Sequence, residues 1–118
     1  MKINVLGTEY EIVYKGYSEL RIFEDMGIEA YCDAISKKII VGKINTFPDF
    51  RDETAGYCDK CEKEALRHEI VHAFLNESGL QTSTLVPKDG WARNEEMVDW
   101  IALQFPKMLE AMKAACCL

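Results

Sequence analysis

The chain has 118 residues, of which 48% are hydrophobic, and its formal net charge is -6, with a sequence pI of about 4.9. This length is enough for one compact domain, residues 1–118, with a modest core. The acidic balance disfavours a nucleic-acid partner, because the sequence has no basic stripe to neutralise phosphates. A membrane-spanning segment is not expected either, since there is no run of about 18 or more apolar residues.

The N-terminal sequence and the cysteines indicate a compartment. Residues 1–9 reach charged residues and a glycine too soon for the apolar region of a signal peptide. Five cysteines, an odd number, then favour reduced thiols, and we expect a cytoplasmic protein. Cys58 and Cys61 form a C-x-x-C pair that could be half of a structural zinc site or a redox pair. Because the other cysteines are scattered or terminal, we interpret this pair as ordinary thiols at a helix start.

The first third of the chain has the alternating pattern of β-strands. Residues 2–15 predict two short strands joined by a turn at Gly7-Thr8. Ser18 is a candidate cap for a short helix over residues 19–26, and Gly27 is a candidate left-handed terminator.

Residues 29–44 predict one or two further strands, with the turn between them in the polar section 33–38. Lysines beside such a strand are typical of a sheet edge. An edge strand near a hydrolytic site could hold an extended peptide by backbone hydrogen bonds, although a plain sheet strand is the simpler interpretation.

A long helix is predicted after a loop over residues 45–57. Asp59 and Glu62 form a capping-box-like start, and Gly79 stands just beyond the end, so the helix should run from about Lys60 to Ser78. Its second half is nearly apolar, which indicates a buried helix. Polar side chains on it then need partners.

A second helix is predicted from about Trp91, after a connection over residues 81–90 that is expected to lie over the site. Apolar residues recur at helical spacing from Trp91 to Phe105, through Val98 and Ala102. Pro106 should end or kink this helix, with another helical segment after it over residues 107–115.

Both histidines of the chain lie four positions apart within the first of these helices. His68 and His72 would share one helix face, about 6 Å apart along the axis, and could bind one zinc ion from the same side. Glu69 lies about 100° further round, where it can reach a metal-bound water without being a ligand. This is the H-E-x-x-H arrangement of zinc hydrolases, in which the ion acidifies the water and the carboxylate takes its proton. The alternative is a helix with two hydrogen-bonded histidines and an unrelated surface glutamate.

A catalytic zinc site usually has three protein ligands, and no third histidine exists, so the third donor must be a carboxylate or a thiolate. Glu95 is the favoured candidate, because Asp99 lies four residues further along the same helix face. Asp99 could accept the outer N–H of a ligating histidine and so fix its tautomer. Glu96 points about 100° away and is less favoured. Without the histidines, these carboxylates would be read as solvent-exposed charges.

Two motifs therefore stand out, His68-Glu69-x-x-His72 and Asn94-Glu95-x-x-x-Asp99. Together they resemble the gluzincin clan of metallopeptidases, in which a glutamate is the third zinc ligand. The run from Asn94 to Ala102, and the Tyr31-Cys32-Asp33 segment before Lys38-Ile39-Ile40-Val41, are similar to the compact ImmA/IrrE-like members found in bacteria and their phages.

This resemblance extends over most of residues 29–109, although only the two zinc motifs are specific. It implies an α+β fold, a minimal zincin-like domain in which a short twisted β-sheet packs on the H-E-x-x-H helix and on a second metal-bearing helix. Such families often supply a further histidine or tyrosine to stabilise the oxyanion. No further histidine exists here, and the sequence does not choose between Tyr57 and Arg93.

The sequence thus predicts a zinc-dependent peptidase with one Zn²⁺ per chain and a protein or peptide as substrate. His68, His72 and Glu95 would bind the metal, Glu69 would be the general base, and Asp99 would orient a histidine. One alternative is a zinc-stabilised regulatory or binding module with little or no turnover. Another is a metal-free helical interaction protein.

Overall fold

In the computed structural model, residues 1–82 and 90–118 are described, and the predicted connection over residues 81–90 lies mostly outside them. The fold is α+β, with one four-stranded mixed sheet and three α-helices in the described part of the chain. The strands are β1 (Lys2–Val5), β2 (Thr8–Lys15), β3 (Ala30–Asp33) and β4 (Lys38–Gly42), in the sheet order β1-β2-β4-β3.

The first two strands form an antiparallel hairpin, as predicted. Leu6 and Gly7 both have positive φ, 50° and 91°, which is the backbone twist that two-residue hairpin loops favour. β4 pairs in parallel with β2 and antiparallel with β3. β4 is therefore an inner strand and β3 is the edge, so residues 29–44 do contribute an edge strand, although Lys38 belongs to the inner one. Lys38 instead lies 3.6 Å from Glu11 of the neighbouring β2.

Between β2 and β3 the chain forms a short helix, α1 (Arg21–Met26). Gly27 ends it in the left-handed conformation (φ 61°), as predicted. The predicted cap at Ser18 is wrong, because Ser18 lies inside a separate 3₁₀ turn, Tyr17–Glu19, and α1 begins after Leu20.

The sheet is covered on both faces, which is why β4 reads as a continuous apolar run rather than an alternating one. One face packs on the second helix, α2 (Ala55–Glu77), and the other face is covered by α1 and the 3₁₀ turns that follow β4. The core on the α2 side consists of Val5, Tyr10, Ile12, Ile39, Val41 and Ala73. The core on the other side is centred on Phe23, Ile40 and Phe47.

The helix α2 starts five residues before its predicted start. Its N-cap is Thr54, whose hydroxyl oxygen accepts a hydrogen bond from the Tyr57 N–H at 3.2 Å. The predicted capping box is therefore wrong, and Glu62 instead accepts a hydrogen bond from the Ile44 N–H. The C-terminal end agrees with the prediction, since Gly79 follows it with φ 78°. Only one side of α2 is buried, and Phe74 is 42% exposed.

The third helix, α3 (Glu95–Ala114), is capped by Asn94, whose side chain accepts a hydrogen bond from the Met97 N–H. Of the two outcomes predicted for Pro106, an end of the helix is wrong, because α3 runs through it as one element, and the helical segment predicted over residues 107–115 forms its last part. Val98 and Ala102 are buried, whereas the apolar residues at the two ends of the predicted stripe, Trp91 and Phe105, are more than half exposed. No helix in residues 1–82 and 90–118 is long and apolar enough to cross a bilayer.

The helix α3 packs on α2 and not on the sheet core. A third apolar cluster of Leu75, Ala92 and Val98 lies between the two helices, whereas the cluster under the sheet contains no α3 residue. The expectation that the sheet packs on both helices is therefore wrong for the second one. The layers run from sheet to α2 to α3, and this order places the face of α2 that carries His68 and His72 beside the start of α3.

Candidate metal centre

The two histidines lie on one face of α2, as their spacing requires. Their ring centroids are 4.7 Å apart, and the planes are inclined at 63°. The two Nε2 atoms face each other at 3.0 Å. Both rings therefore direct the same nitrogen toward one point between them.

Glu95 is the first residue of α3, and its carboxylate reaches the same point. Its Oε2 lies 3.0 Å from His68 Nε2, and its Oε1 lies 3.2 Å from His72 Nε2. The three ligand-type atoms all fall within 4.8 Å of one another, and within the described residues this is the one group of three or more such side chains. Glu96 is exposed and does not belong to the group.

Asp99 lies one helical turn after Glu95 and contacts the other nitrogen of His68. Its Oδ1 is 2.6 Å from His68 Nδ1. An ionised carboxylate can only accept hydrogen bonds, so Nδ1 carries the proton and donates. In the neutral ring, Nε2 is then left with a lone pair directed at Glu95 and His72.

A bound cation would satisfy this arrangement of ligand atoms. A neutral His68 cannot donate to the Glu95 oxygen 3.0 Å from its Nε2, because that nitrogen bears a lone pair. His72 could satisfy only one of these contacts with a proton. A single divalent ion bound by two imidazole nitrogens and a carboxylate oxygen would satisfy all three groups, and this N/N/O donor set suits zinc.

His72 is suited to act as a neutral ligand. It is one of the two buried polar or charged residues in the described part of the chain, with 9% exposure. Burial lowers its pKa, because the charged ring loses hydration, and the neighbouring carboxylate of Glu95 opposes this shift. Its Nδ1 is buried without a hydrogen-bond partner in the described residues. The polar contacts of this ring are therefore made by Nε2, with His68 and Glu95.

Glu69 is the other buried polar residue, with 7% exposure. Burial raises the pKa of its carboxyl to about 7, Glu95 adds to this, and His68 opposes it together with a hydrogen bond from the backbone N–H of Cys32. Its Oε1 lies 4.0 Å from His68 Nε2. Glu69 thus stands beside the three converging atoms without being one of them. The Cys32 contact could not be read from the sequence, because it depends on how β3 packs over α2.

The centre opens into a groove of about 970 Å³ that runs along the edge strand β3. The Gly42 N–H donates a hydrogen bond to the Glu29 carbonyl. In an antiparallel pair, every second residue then bonds to the neighbouring strand, starting from Glu29. By that alternation, the backbone groups of Ala30 and Cys32 point away from β4, and the Cys32 N–H reaches Glu69. The outward N–H and C=O of Ala30 and the C=O of Cys32 face the groove.

Neither candidate oxyanion donor lies at the centre. Tyr57 lines the far part of the groove, but it precedes His68 by eleven residues on the same helix, which is roughly 16 Å along the axis. Arg93 donates from Nε to the Gln81 carbonyl at 2.6 Å. Neither Tyr57 nor Arg93 is therefore placed to stabilise an oxyanion at the centre.

The C-x-x-C pair lies in the first two turns of α2. Cys58 is buried and Cys61 is partly buried, and all five cysteines have free thiols. Burial raises the pKa of Cys61, which is the opposite of what a reactive thiol needs. No metal-binding group in the described part of the chain includes either residue.

Comparisons with protein-family models, with curated proteins and with solved structures found no match to this chain.

Proposed function

We propose that this protein is a zinc-dependent peptidase with one Zn²⁺ per chain. The observation that carries the proposal is the convergence of His68, His72 and Glu95 on one point at the mouth of a groove, with buried Glu69 beside them. The three converging residues are the proposed ligands, and Asp99 holds His68 in the tautomer that presents Nε2.

When bound, zinc would supply Lewis acidity, which makes a water acidic and polarises a scissile carbonyl. Glu69 is the proposed general base. Its carboxyl takes a proton from the attacking water and later returns it to the leaving amine.

The proposed substrate is a protein or an extended peptide. The outward backbone groups of Ala30 and Cys32 line the groove, and an extended chain could pair with them as an additional strand. We propose a cytoplasmic location, because five cysteines, an odd number, favour reduced thiols.

The experiment that tests this proposal first is zinc stoichiometry, because it needs no substrate. The wild-type chain, purified without chelator, should carry about one zinc, whereas Glu95→Ala should lose most of it. Glu96→Ala is the matched control, since it removes the neighbouring exposed carboxylate, and it should bind zinc like the wild type. A wild-type chain without zinc, or a Glu95→Ala chain that keeps it, would refute the ligand set.

A zinc-stabilised binding module is the second candidate. It is favoured by the positions of Tyr57 and Arg93, which leave the centre without either as an oxyanion donor. A module of this kind would bind one zinc through the same three residues and be stabilised by it, but would show no zinc-dependent cleavage of unfolded proteins or peptides. A metal-free interaction protein would bind no zinc at all.

A further inference from the structure

One hydrogen bond between α2 and α3, directly beside the proposed centre, is accepted by a backbone carbonyl of α3. The Nε–H of Arg67, the residue before His68, donates to the carbonyl oxygen of Ala102 at 2.7 Å. This bond is partly buried. Within an α-helix a backbone carbonyl normally accepts from the N–H four residues later, so a side chain from another helix would not be expected to take this position.

Pro106 explains why the carbonyl is available. It stands four residues after Ala102 inside α3 and has no N–H to donate. Ala102 is 1% exposed, so its carbonyl is poorly placed for water and needs a partner from the protein. Arg67 supplies that partner, and α3 therefore continues through a residue that ordinarily ends a helix.

The position of this bond relates it to the centre. Arg67 adjoins His68 on α2, and Ala102 lies three residues after Asp99 on α3, so the bond lies next to the His68–Asp99 contact. Glu95 and Asp99 have exposed side chains and cannot hold α3 in place by burial. The apolar cluster between the helices includes Val98, which precedes Asp99, so burial of Val98 and the Arg67 bond act on the same part of α3.

We infer that Arg67 and Pro106 are positioning residues that act together. Pro106 leaves the Ala102 carbonyl free, Arg67 binds it, and the bond fixes the position of α3 at which Glu95 and Asp99 meet the two histidines. This inference rests on the proposed zinc site. It assigns Arg67 no contact with metal or substrate.

The test compares Arg67→Met with the double variant Arg67→Met/Pro106→Ala in the full-length chain. Arg67→Met leaves the carbonyl unpaired, and we expect its metal-free Tm to fall by about 4 °C, as for one lost hydrogen bond. Its zinc affinity should fall roughly tenfold, the lower end of the range for groups that orient ligands. In the double variant the alanine introduced at position 106 has a backbone N–H that donates to the Ala102 carbonyl, so the Tm should recover while the zinc affinity stays low.

Cobalt(II) absorption provides a readout that a merely structural role would not change, because the visible bands report ligand geometry. The spectrum should change in both variants and return in part in Arg67→Lys, which keeps a donor. Arg21→Met, the same substitution at an exposed position of α1, should leave the Tm, affinity and spectrum unchanged.

Zinc affinity within about twofold of wild type in both variants would overturn the inference, with the zinc site itself intact. Recovery of affinity together with Tm in the double variant would reduce Arg67 to a structural role. A wild-type chain that binds no zinc would refute the proposed function instead. In that case the recovery of Tm by Pro106→Ala would still decide whether the hydrogen bond exists.

Discussion

The Nδ1 atom of His68 lies 2.6 Å from Oδ1 of Asp99, although the two residues are 31 positions apart and on different helices. One short contact therefore favours the His68 tautomer with its proton on Nδ1 and joins the two helices that carry the proposed ligands. The His68 side chain is 18% exposed and the Asp99 side chain is 70% exposed, so the carboxylate approaches the ring from the solvent side.

Replacing Asp99 by alanine should lower zinc affinity by roughly 10- to 100-fold, because His68 would lose the acceptor that fixes its tautomer and raises its basicity. Asp99→Asn should lie between this variant and the wild type, since its amide oxygen still accepts the Nδ1–H but carries no charge. The measurement is competition for zinc with a chromophoric chelator. Glu110→Ala, an exposed carboxylate further along α3, is the control, and an equal loss in that variant would point to net charge rather than to the His68 contact.

Replacing Glu69 by glutamine should reduce zinc-dependent peptide cleavage by at least about 100-fold, because the amide cannot take a proton from water. Zinc content should remain near one per chain, since Glu69 is not among the converging donors. The glutamine oxygen can still accept the Cys32 N–H, so the fold should be kept. The assay is hydrolysis of an unfolded-protein panel together with elemental zinc analysis.

Glu64→Gln is the matched control for this substitution, because Glu64 lies on the same helix and lines the same groove without joining the ligand group. It should retain activity. Loss of zinc from Glu69→Gln would show that Glu69 is a ligand and not the base.

Much of this architecture follows from local sequence patterns. Period-two alternation predicted the β1–β2 hairpin, and the left-handed glycines at Gly27 and Gly79 predicted two helix ends. The i,i+4 spacing of the histidines predicted a shared face, and the Glu95-x-x-x-Asp99 spacing predicted a second carboxylate beside the first. These features depend on residues within one or two turns of each other, and the sequence displays such relations directly.

Two of the errors share a physical cause, which is a hydrogen bond between residues far apart in the sequence. Glu62 was expected to cap its own helix, but its carboxylate binds the Ile44 N–H, and Thr54 caps α2 instead. Pro106 was expected to end or kink its helix, but α3 continues through it, and the carbonyl that it leaves free is bound by Arg67. The two residues in these contacts are separated by 18 positions in one case and by 35 in the other. Such contacts depend on the assembled fold, so local sequence patterns do not predict them.

Zinc should raise the Tm of the wild-type protein, because an ion that binds only the folded chain stabilises it by about 4 kcal/mol at a thousand times Kd. For a domain of this size that corresponds to a rise of more than about 10 °C. EDTA should reverse the rise, and Glu95→Ala should show little zinc-dependent shift. The measurement is thermal unfolding followed by circular dichroism. An unchanged wild-type Tm with EDTA would favour the metal-free interaction protein.

The end of α2 is tied to the sheet by Glu77. Its carboxylate accepts hydrogen bonds from the Thr8 hydroxyl and the Tyr10 hydroxyl, each at 2.8 Å, and from the Lys37 ammonium. Lys37 lies in the turn between β3 and β4, so this one side chain joins the helix to both hairpins. The hydrogen bond from Lys37, followed by those from Tyr10 and Thr8, lowers the pKa of Glu77 to about 2.

These contacts predict a dependence of stability on acid. Because the folded pKa of Glu77 lies below its ordinary value of 4.5, its contribution is fully present above pH 4.5 and is lost as the pH falls toward 2. Glu77→Gln should therefore unfold several degrees below the wild type at pH 7, and the difference should shrink steadily between pH 4.5 and pH 2. The measurement is the Tm of both proteins without zinc across this range. Glu9→Gln breaks only the exposed pair with Lys2, so it should change the Tm little at any pH. A Glu77→Gln deficit that stays constant down to pH 2 would mean that the loss reflects packing rather than the ionised carboxylate.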